Sequence, residues 1–149
     1  MERSLVLIKP DGIERKLMGE IISFYERKDL TITHMRLLKA DRTTAEKHYR
    51  EHKGKPYFQE LIDYITEGNL CAMVIEGEDT VEIIRHINGD KDPKLANPGT
   101  IRGMYADSKT RNLVHASDSV ENAEREIPIW FPELSSEPEL AVSGSISKG

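Results

Sequence analysis

Arg111-Asn112-Leu113-Val114-His115-Ala116-Ser117-Asp118-Ser119, followed by Val120-Glu121-Asn122-Ala123-Glu124-Arg125-Glu126-Ile127, sets a histidine between a short apolar run and a helix start. Asn112 to Ala116 reads as a strand, and the Ser/Asp/Ser cluster after it supplies N-cap chemistry for a helix from Ser119 to Ile127. A histidine delivered to a turn presents one ring nitrogen to a reacting centre. Glu126, eleven positions on, is a carboxylate suited to hold the other. That division of the two nitrogens is what a histidine nucleophile requires. Asn112 is suited to position a leaving or bridging oxygen, and Ser117 to donate a hydrogen bond. Read alone, Glu126 also has a competing reading as an ordinary surface residue of its helix.

Upstream, short strands and helices alternate. Ser4 to Ile8 reads as a buried strand that stops at Lys9-Pro10, because Pro10 lacks a ladder donor and Asp11-Gly12 is turn chemistry. Helical spacing runs from Lys16 to Lys28, and Leu30 to Leu38 reads as a second strand. Thr43-Thr44-Ala45-Glu46 opens a helix reaching about His52, which Gly54-Lys55-Pro56 breaks. Tyr57 to Thr66 is helical, with Phe58, Leu61, Ile62 and Ile65 on one face, and Leu70 to Glu76 is a strand. A helix from Asp79 to Asn88 ends at Gly89. Residues 89–111 read as an irregular stretch with one helical turn, and connections this long usually carry function. Residues 1–134 read as one domain and 135–149 as a flexible Ser/Glu/Gly-rich tail. Four short strands among this many helices fit either a parallel sheet or an antiparallel ferredoxin-like one, and pattern alone does not separate them.

The 149 residues suffice for one domain with a real core. Lys and Arg total 21 against 26 Asp and Glu, a formal charge of −5. An acidic chain is a poor general nucleic-acid binder, so an anionic ligand must meet a local basic pocket. Three Phe, five Tyr and one Trp also argue against a nucleic-acid-binding ferredoxin-like module, the alternative from another class. The single cysteine, Cys71, reads as a buried thiol and points to a reducing compartment. With no apolar run near the ~18 residues of a membrane span, a soluble cytoplasmic protein is expected.

There is no G-x-x-x-x-G-K-[ST] and no G-x-G-x-x-G, so phosphate would be met by side chains. The candidate cations are Lys9, at a strand end beside a rigid turn, with Arg85, Arg102 and Arg111. His48-x-x-x-His52 has helical i, i+4 spacing but no H-E-x-x-H pattern and no third ligand, and reads as a solvated helix face. His34 and His86 read as structural.

Asn112-Leu113-Val114-His115-Ala116-Ser117-Asp118-Ser119 with Glu126 resembles the signature of the nucleoside diphosphate kinase family. Lys9-Pro10-Asp11-Gly12 and Pro98-Gly99-Thr100-Ile101-Arg102-Gly103 resemble two further family segments in the same order. The resemblance spans about residues 4–132 and implies a ferredoxin-like βαββαβ core, a four-stranded antiparallel sheet with inserted helices and a long nucleotide-site loop. It also implies a homo-oligomer, hexamer or tetramer, and ping-pong transfer of a γ-phosphate from a nucleoside triphosphate, ATP being the main donor, to a nucleoside diphosphate. Magnesium (Mg2+) would be carried mainly on the nucleotide phosphates, with no protein metal site.

Carried over position by position, His115 resembles the phosphorylated nucleophile and Glu126 its orienting partner through Ser117. Lys9, Tyr49, Arg85, Arg102 and Asn112 resemble phosphate and ribose contacts. Tyr57 falls where the family usually has a Phe that stacks on the base, with Leu61 beside it as an apolar base contact. The chain departs from the family pattern at Lys91, where a Thr touching phosphate is common, and at Ala116, where Gly is usual. The ending after Pro132 also differs from the longer family ending. A protein-histidine kinase or phosphohistidine carrier would share the His115 chemistry and differ only in its acceptor.

Overall fold

The computed structural model describes residues 1–135, so the expected tail, apart from Ser135, lies outside the described residues. Its four strands are β1 (Glu2–Ile8), β2 (Thr31–Lys39), β3 (Asn69–Gly77) and β4 (Val114–Ala116). They form one sheet in the order β2-β3-β1-β4. β1 pairs antiparallel with both β3 and β4, and β2 pairs antiparallel with β3. The sheet is therefore the antiparallel, ferredoxin-like alternative.

The central strands read as continuous apolar runs because both faces of the sheet are covered. Successive side chains of β1 point to opposite faces. Leu5 and Leu7 join Leu70, Ala72 and Val74 of β3 under one helical layer, which contributes Ile62, Ile65, Ala123, Ile127 and Trp130. Val6 and Ile8 join Cys71, Met73 and Ile75 on the other face, against Ile21, Tyr25 and Ile84. Burial pushes the Cys71 thiol pKa up to about 11.

Seven helices lie among the described residues: α1 (Pro10–Glu14), α2 (Met18–Glu26), α3 (Arg42–His48), α4 (Phe58–Ile65), α5 (Thr80–Asn88), α6 (Ile101–Tyr105) and α7 (Val120–Trp130). Three differences from the sequence reading have physical causes. Lys9-Pro10-Asp11-Gly12 is not a plain turn but opens α1; Pro10 occupies the first helical turn, where its missing N–H has no partner to lose. α3 is capped by Asp41, which accepts from the Thr44 backbone N–H at 2.7 Å, and it ends at His48 before a 3₁₀ turn, Arg50–His52. α7 continues through Pro128 to Trp130. The expected helix stopped at Ile127, but the backbone N–H of Phe131 still bonds the Ile127 carbonyl at 2.8 Å.

Leu7 stands opposite His115 in the β1–β4 register, while Ala116 stands opposite Val6. Cross-strand partners share a face. His115 is thereby directed to the layer that holds α3, α4 and α7. Of the two histidines read as structural, His34 packs edge-on to Phe131 at 5.8 Å, and His86 is exposed.

The long stretch after Gly89 is ordered around α6. Thr100 caps it by accepting from the Gly103 N–H at 3.0 Å. A Cβ on Gly103 would lie 2.1 Å from the Asn97 carbonyl oxygen, whereas one on Gly99 would meet nothing within 4 Å. Gly103→Ala is therefore expected to lose about 2 kcal/mol in urea unfolding, because backbone must shift. Gly99→Ala should stay within about 0.5 kcal/mol of the parent. Equal values for the two would contradict this account of the loop.

Candidate active site

β4 is short, and its approach is unusual. Leu113, fully buried, has φ 79°, a left-handed conformation that costs a non-glycine residue about 1–3 kcal/mol. It persists because its surroundings hold it: the Leu113 carbonyl accepts from the Lys9 backbone N–H at 2.8 Å, and its side chain lies in the core. This segment joins the end of β1 to the strand carrying His115.

The His115 Nε2 lies 3.0 Å from Glu126 Oε1. Ser117 Oγ donates to the same oxygen at 2.7 Å, and Asn122 Nδ2 donates to Oε2 at 3.1 Å. Arg125 Nη2 stands 3.7 Å from Oε2. Glu126 is thus a buried carboxylate with partners on both oxygens rather than a surface residue. It reaches the ring directly, and Ser117 buttresses the same carboxylate oxygen. With Nε2 donating to a carboxylate, the lone pair of the neutral ring sits on Nδ1.

His48 is a site residue the sequence reading missed. It is not on a solvated face: it is 3% exposed, and its ring stands edge-on to His115 at 4.5 Å. Trp130 Nε1 donates to His48 Nδ1 at 3.1 Å, which leaves the proton on Nε2. Burial holds its pKa well below the usual imidazole value, helped by the charges of His115, Arg125, Lys9 and His52. The missed signal was Ala45, His48 and Tyr49 at i, i+3 and i+4, all three buried.

His48, His115 and Glu126 bring ligand-type atoms within 4.8 Å of one another. This set does not suit a resident magnesium ion, which prefers a shell of oxygens. Nor does it suit zinc, because a metal-bound histidine usually donates through its second nitrogen, and that nitrogen of His48 accepts from Trp130.

The cations gather at the end of β1. Lys9, 8% exposed, donates to Asn112 Oδ1 at 3.0 Å. Asn112 Nδ2 donates to the carbonyls of Lys91 at 3.3 Å and Lys109 at 3.1 Å. Arg102 donates from Nε to the Asn112 carbonyl at 3.3 Å, from Nη1 to Gly89 at 2.7 Å and from Nη2 to Val114 at 2.6 Å. It ties the long loop to β4, with N–H groups on both Nη atoms still available. Burial lowers its pKa from the usual guanidinium value, and Arg85 adds to the effect. Arg85 and Lys91 are exposed at the periphery. Arg111, another candidate cation, instead forms a paired contact with Glu67 at 3.2 and 2.7 Å and lies over the Tyr64 ring. The Tyr64 hydroxyl donates to buried Asp11, and Lys9 stands over the same ring at 5.5 Å.

Tyr49 is buried, packed edge-on to His48 at 4.7 Å. Tyr57 and Leu61 line a recess of about 110 Å³ with Glu60, Tyr64, Thr110 and Arg111. The structure thus brings Lys9, Asn112 and Arg102 into one hydrogen-bonded cluster and His115, Ser117 and Glu126 into another, with Arg102 bonded to the Val114 carbonyl just before His115. It sets Tyr57 and Leu61 in a separate apolar recess.

Burial, followed by the charge of Arg102, lowers the Lys9 pKa to about 7, with Asp11 opposing and Lys91 adding to the effect. Between that value and the ordinary lysine range the unfolded chain binds more protons than the folded one, so Lys9 makes stability rise with pH through this window. Chemical denaturation of the parent and Lys9→Met at pH 7 and pH 9 checks this. The difference should move in the parent's favour at pH 9, and an unchanged difference would contradict it.

The nucleoside diphosphate kinase family model matches residues 2–135. A nucleoside diphosphate kinase of Saccharolobus solfataricus is 54% identical over 130 residues, covering 87% of this chain and 94% of the relative. One from Ignicoccus hospitalis is 56% identical over 131 residues, covering 88% of this chain and 89% of the relative. The crystal structure of the apo enzyme from Encephalitozoon cuniculi superposes with a TM-score of 0.85 at 41% identity, over 87% of this chain and 88% of that one. The Aquifex aeolicus enzyme gives a TM-score of 0.85 at 34% identity, over 87% of this chain and 94% of that one. The fold, the His115–Glu126 pair and these matches converge: the chain belongs to the nucleoside diphosphate kinase family.

Proposed function

We propose that the chain is a nucleoside diphosphate kinase working by a ping-pong mechanism through phosphohistidine at His115. The observation that carries this reading is the His115 ring itself, held through Nε2 by a buried carboxylate and so left with its Nδ1 lone pair for reaction. In the first half-reaction, Nδ1 attacks the γ-phosphorus of a nucleoside triphosphate. The Nδ1–P bond forms, the bond from phosphorus to the β,γ-bridging oxygen breaks, and the diphosphate leaves with that electron pair. The ring gains positive charge, which Glu126 offsets across the Nε2 contact. In the second half, a β-phosphate oxygen of an incoming nucleoside diphosphate attacks the phosphorus and returns the pair to Nδ1.

Phosphoryl transfer needs positioning and charge neutralisation more than a strong base. Lys9, Arg102, Asn112, Tyr49, Arg85 and Lys91 serve as phosphate and ribose contacts in this reading, and Tyr57 and Leu61 carry the base. Contact with an aromatic face discriminates little between bases and suits an enzyme accepting every nucleotide. Magnesium arrives with the nucleotide phosphates as part of the substrate. Residues 1–134 act as the catalytic domain of a homo-oligomer, hexamer or tetramer. Met35 and Leu37, exposed on the edge strand β2, support self-association. A cytoplasmic site of action agrees with the buried single thiol. Among the described residues no helix is long and apolar enough to cross a membrane.

Mixing the protein with γ-labelled ATP and magnesium should give an acid-labile, base-stable phosphoenzyme that any nucleoside diphosphate discharges. His115→Gln should take no label, and equal labelling of parent and variant would sink the proposal. Whichever acceptor discharges the label, nucleotide or protein histidine, separates the two activities that share this intermediate. Glu126→Gln keeps the packing and loses the charge. Its kcat should fall by about 100-fold, the scale of removing one preorganised electrostatic group. An unchanged kcat would remove Glu126 from the chemistry.

A further inference from the structure

His48 and His52, spaced four apart, serve different ends of the molecule. His48 faces the nucleophile, while His52 ends the 3₁₀ turn and is only half-buried. The His52 Nδ1 and the Tyr57 hydroxyl are 2.8 Å apart, and the two rings stand edge-on at 5.5 Å. This bond closes a loop that the backbone also ties: Lys55 N–H donates to the His52 carbonyl, and Phe58 N–H donates to that of Lys55, both at 3.0 Å. Gly54 turns the chain within the loop at φ 88°.

Tyr57 is 43% exposed and precedes α4, with no side-chain capping bond of its own. Packing on one side alone does not fix such a ring, and the hydroxyl bond supplies the missing constraint. A phenylalanine, usual at this position in the resemblance, has no atom with which to make it.

We propose that the His52–Tyr57 hydrogen bond positions the base platform: it holds the Tyr57 ring ready for the nucleobase of a bound nucleoside di- or triphosphate. The proposal rests on the reading of Tyr57 as the base contact. A ring ordered before binding need not be ordered by the ligand, so the effect belongs in affinity for nucleotides rather than in the phosphoryl step. It also belongs only to ligands that carry a base.

The test is a double-mutant cycle of Tyr57→Phe and His52→Leu, read as KM and kcat for nucleoside diphosphates and as inhibition by inorganic tripolyphosphate, which has no base. Each single variant should raise nucleotide KM about threefold to tenfold, with the change in KM rather than kcat. The double variant should match either single one. His52→Asn, which keeps a polar atom where Nδ1 stood, should return KM toward the parent. Inhibition by tripolyphosphate should not change. Additive effects, an unaltered KM in Tyr57→Phe, or an equal loss for tripolyphosphate would each overturn the positioning role. Tyr57→Ala distinguishes the underlying reading: an unaltered nucleotide KM in that variant would remove Tyr57 from base binding altogether. A raised KM in Tyr57→Ala with none in Tyr57→Phe would overturn the hydrogen bond's role alone.

Discussion

A carboxylate taken out of water is costly unless hydrogen bonds and charges replace its hydration, and Glu126 is 2% exposed. Its partners come from three places: His115 on β4, Ser117 just after it, and Asn122 one turn earlier in α7. Satisfying this one group requires α7 to lie at a fixed height against β4. Ser117 adds a second anchor, donating to Glu126 while its Oγ accepts from the Leu5 N–H at 3.1 Å. The orientation of the His115 ring and the seating of the last helix are consequently one constraint.

α7 extends that constraint to a third element. Arg125 donates to Asn122 Oδ1 and to the carbonyls of Lys47 and His48 at the end of α3. Those carbonyls are among the groups a helix C-terminus leaves without partners, and a cation there is favourable. Trp130 then fixes the His48 ring. One helix face therefore aligns His115, the Glu126 carboxylate and the His48 imidazole beside them. Across the sheet edge, Arg102 does for the long loop what Arg125 does for α3: its planar fork gathers backbone carbonyls that no regular ladder would pair.

Much of this was legible in the residues, and the gaps follow from what composition can encode. The strands and the main helices were visible as apolar periodicity. The direction of pairing was not, because β1 and β3 are covered on both faces and lose the alternation that marks a half-exposed antiparallel strand. Pro10-Asp11-Gly12 carries the same composition whether it makes a turn or a single helical turn. The sequence reading ended the last helix at Ile127, yet the hydrogen bond from Phe131 carries α7 past Pro128. His115, Glu126, Lys9 and Asn112 stood out as chemistry at element ends. The anchoring of Arg102 did not, since its acceptors are backbone carbonyls without a side-chain signature. His48 was hidden by its neighbour His52, whose equal spacing suggested one shared face for two rings that do different work.

The contact between Trp130 and His48 also has an optical side. The chain contains a single tryptophan, and its indole N–H is bonded to a ring that touches His115. Indole emission therefore originates one imidazole away from His115. Indole fluorescence responds to the polarity and protonation of what it is bonded to, so a charge placed on His115 perturbs it through His48. The indole is placed to report, without a label, on the charge of the His115 ring.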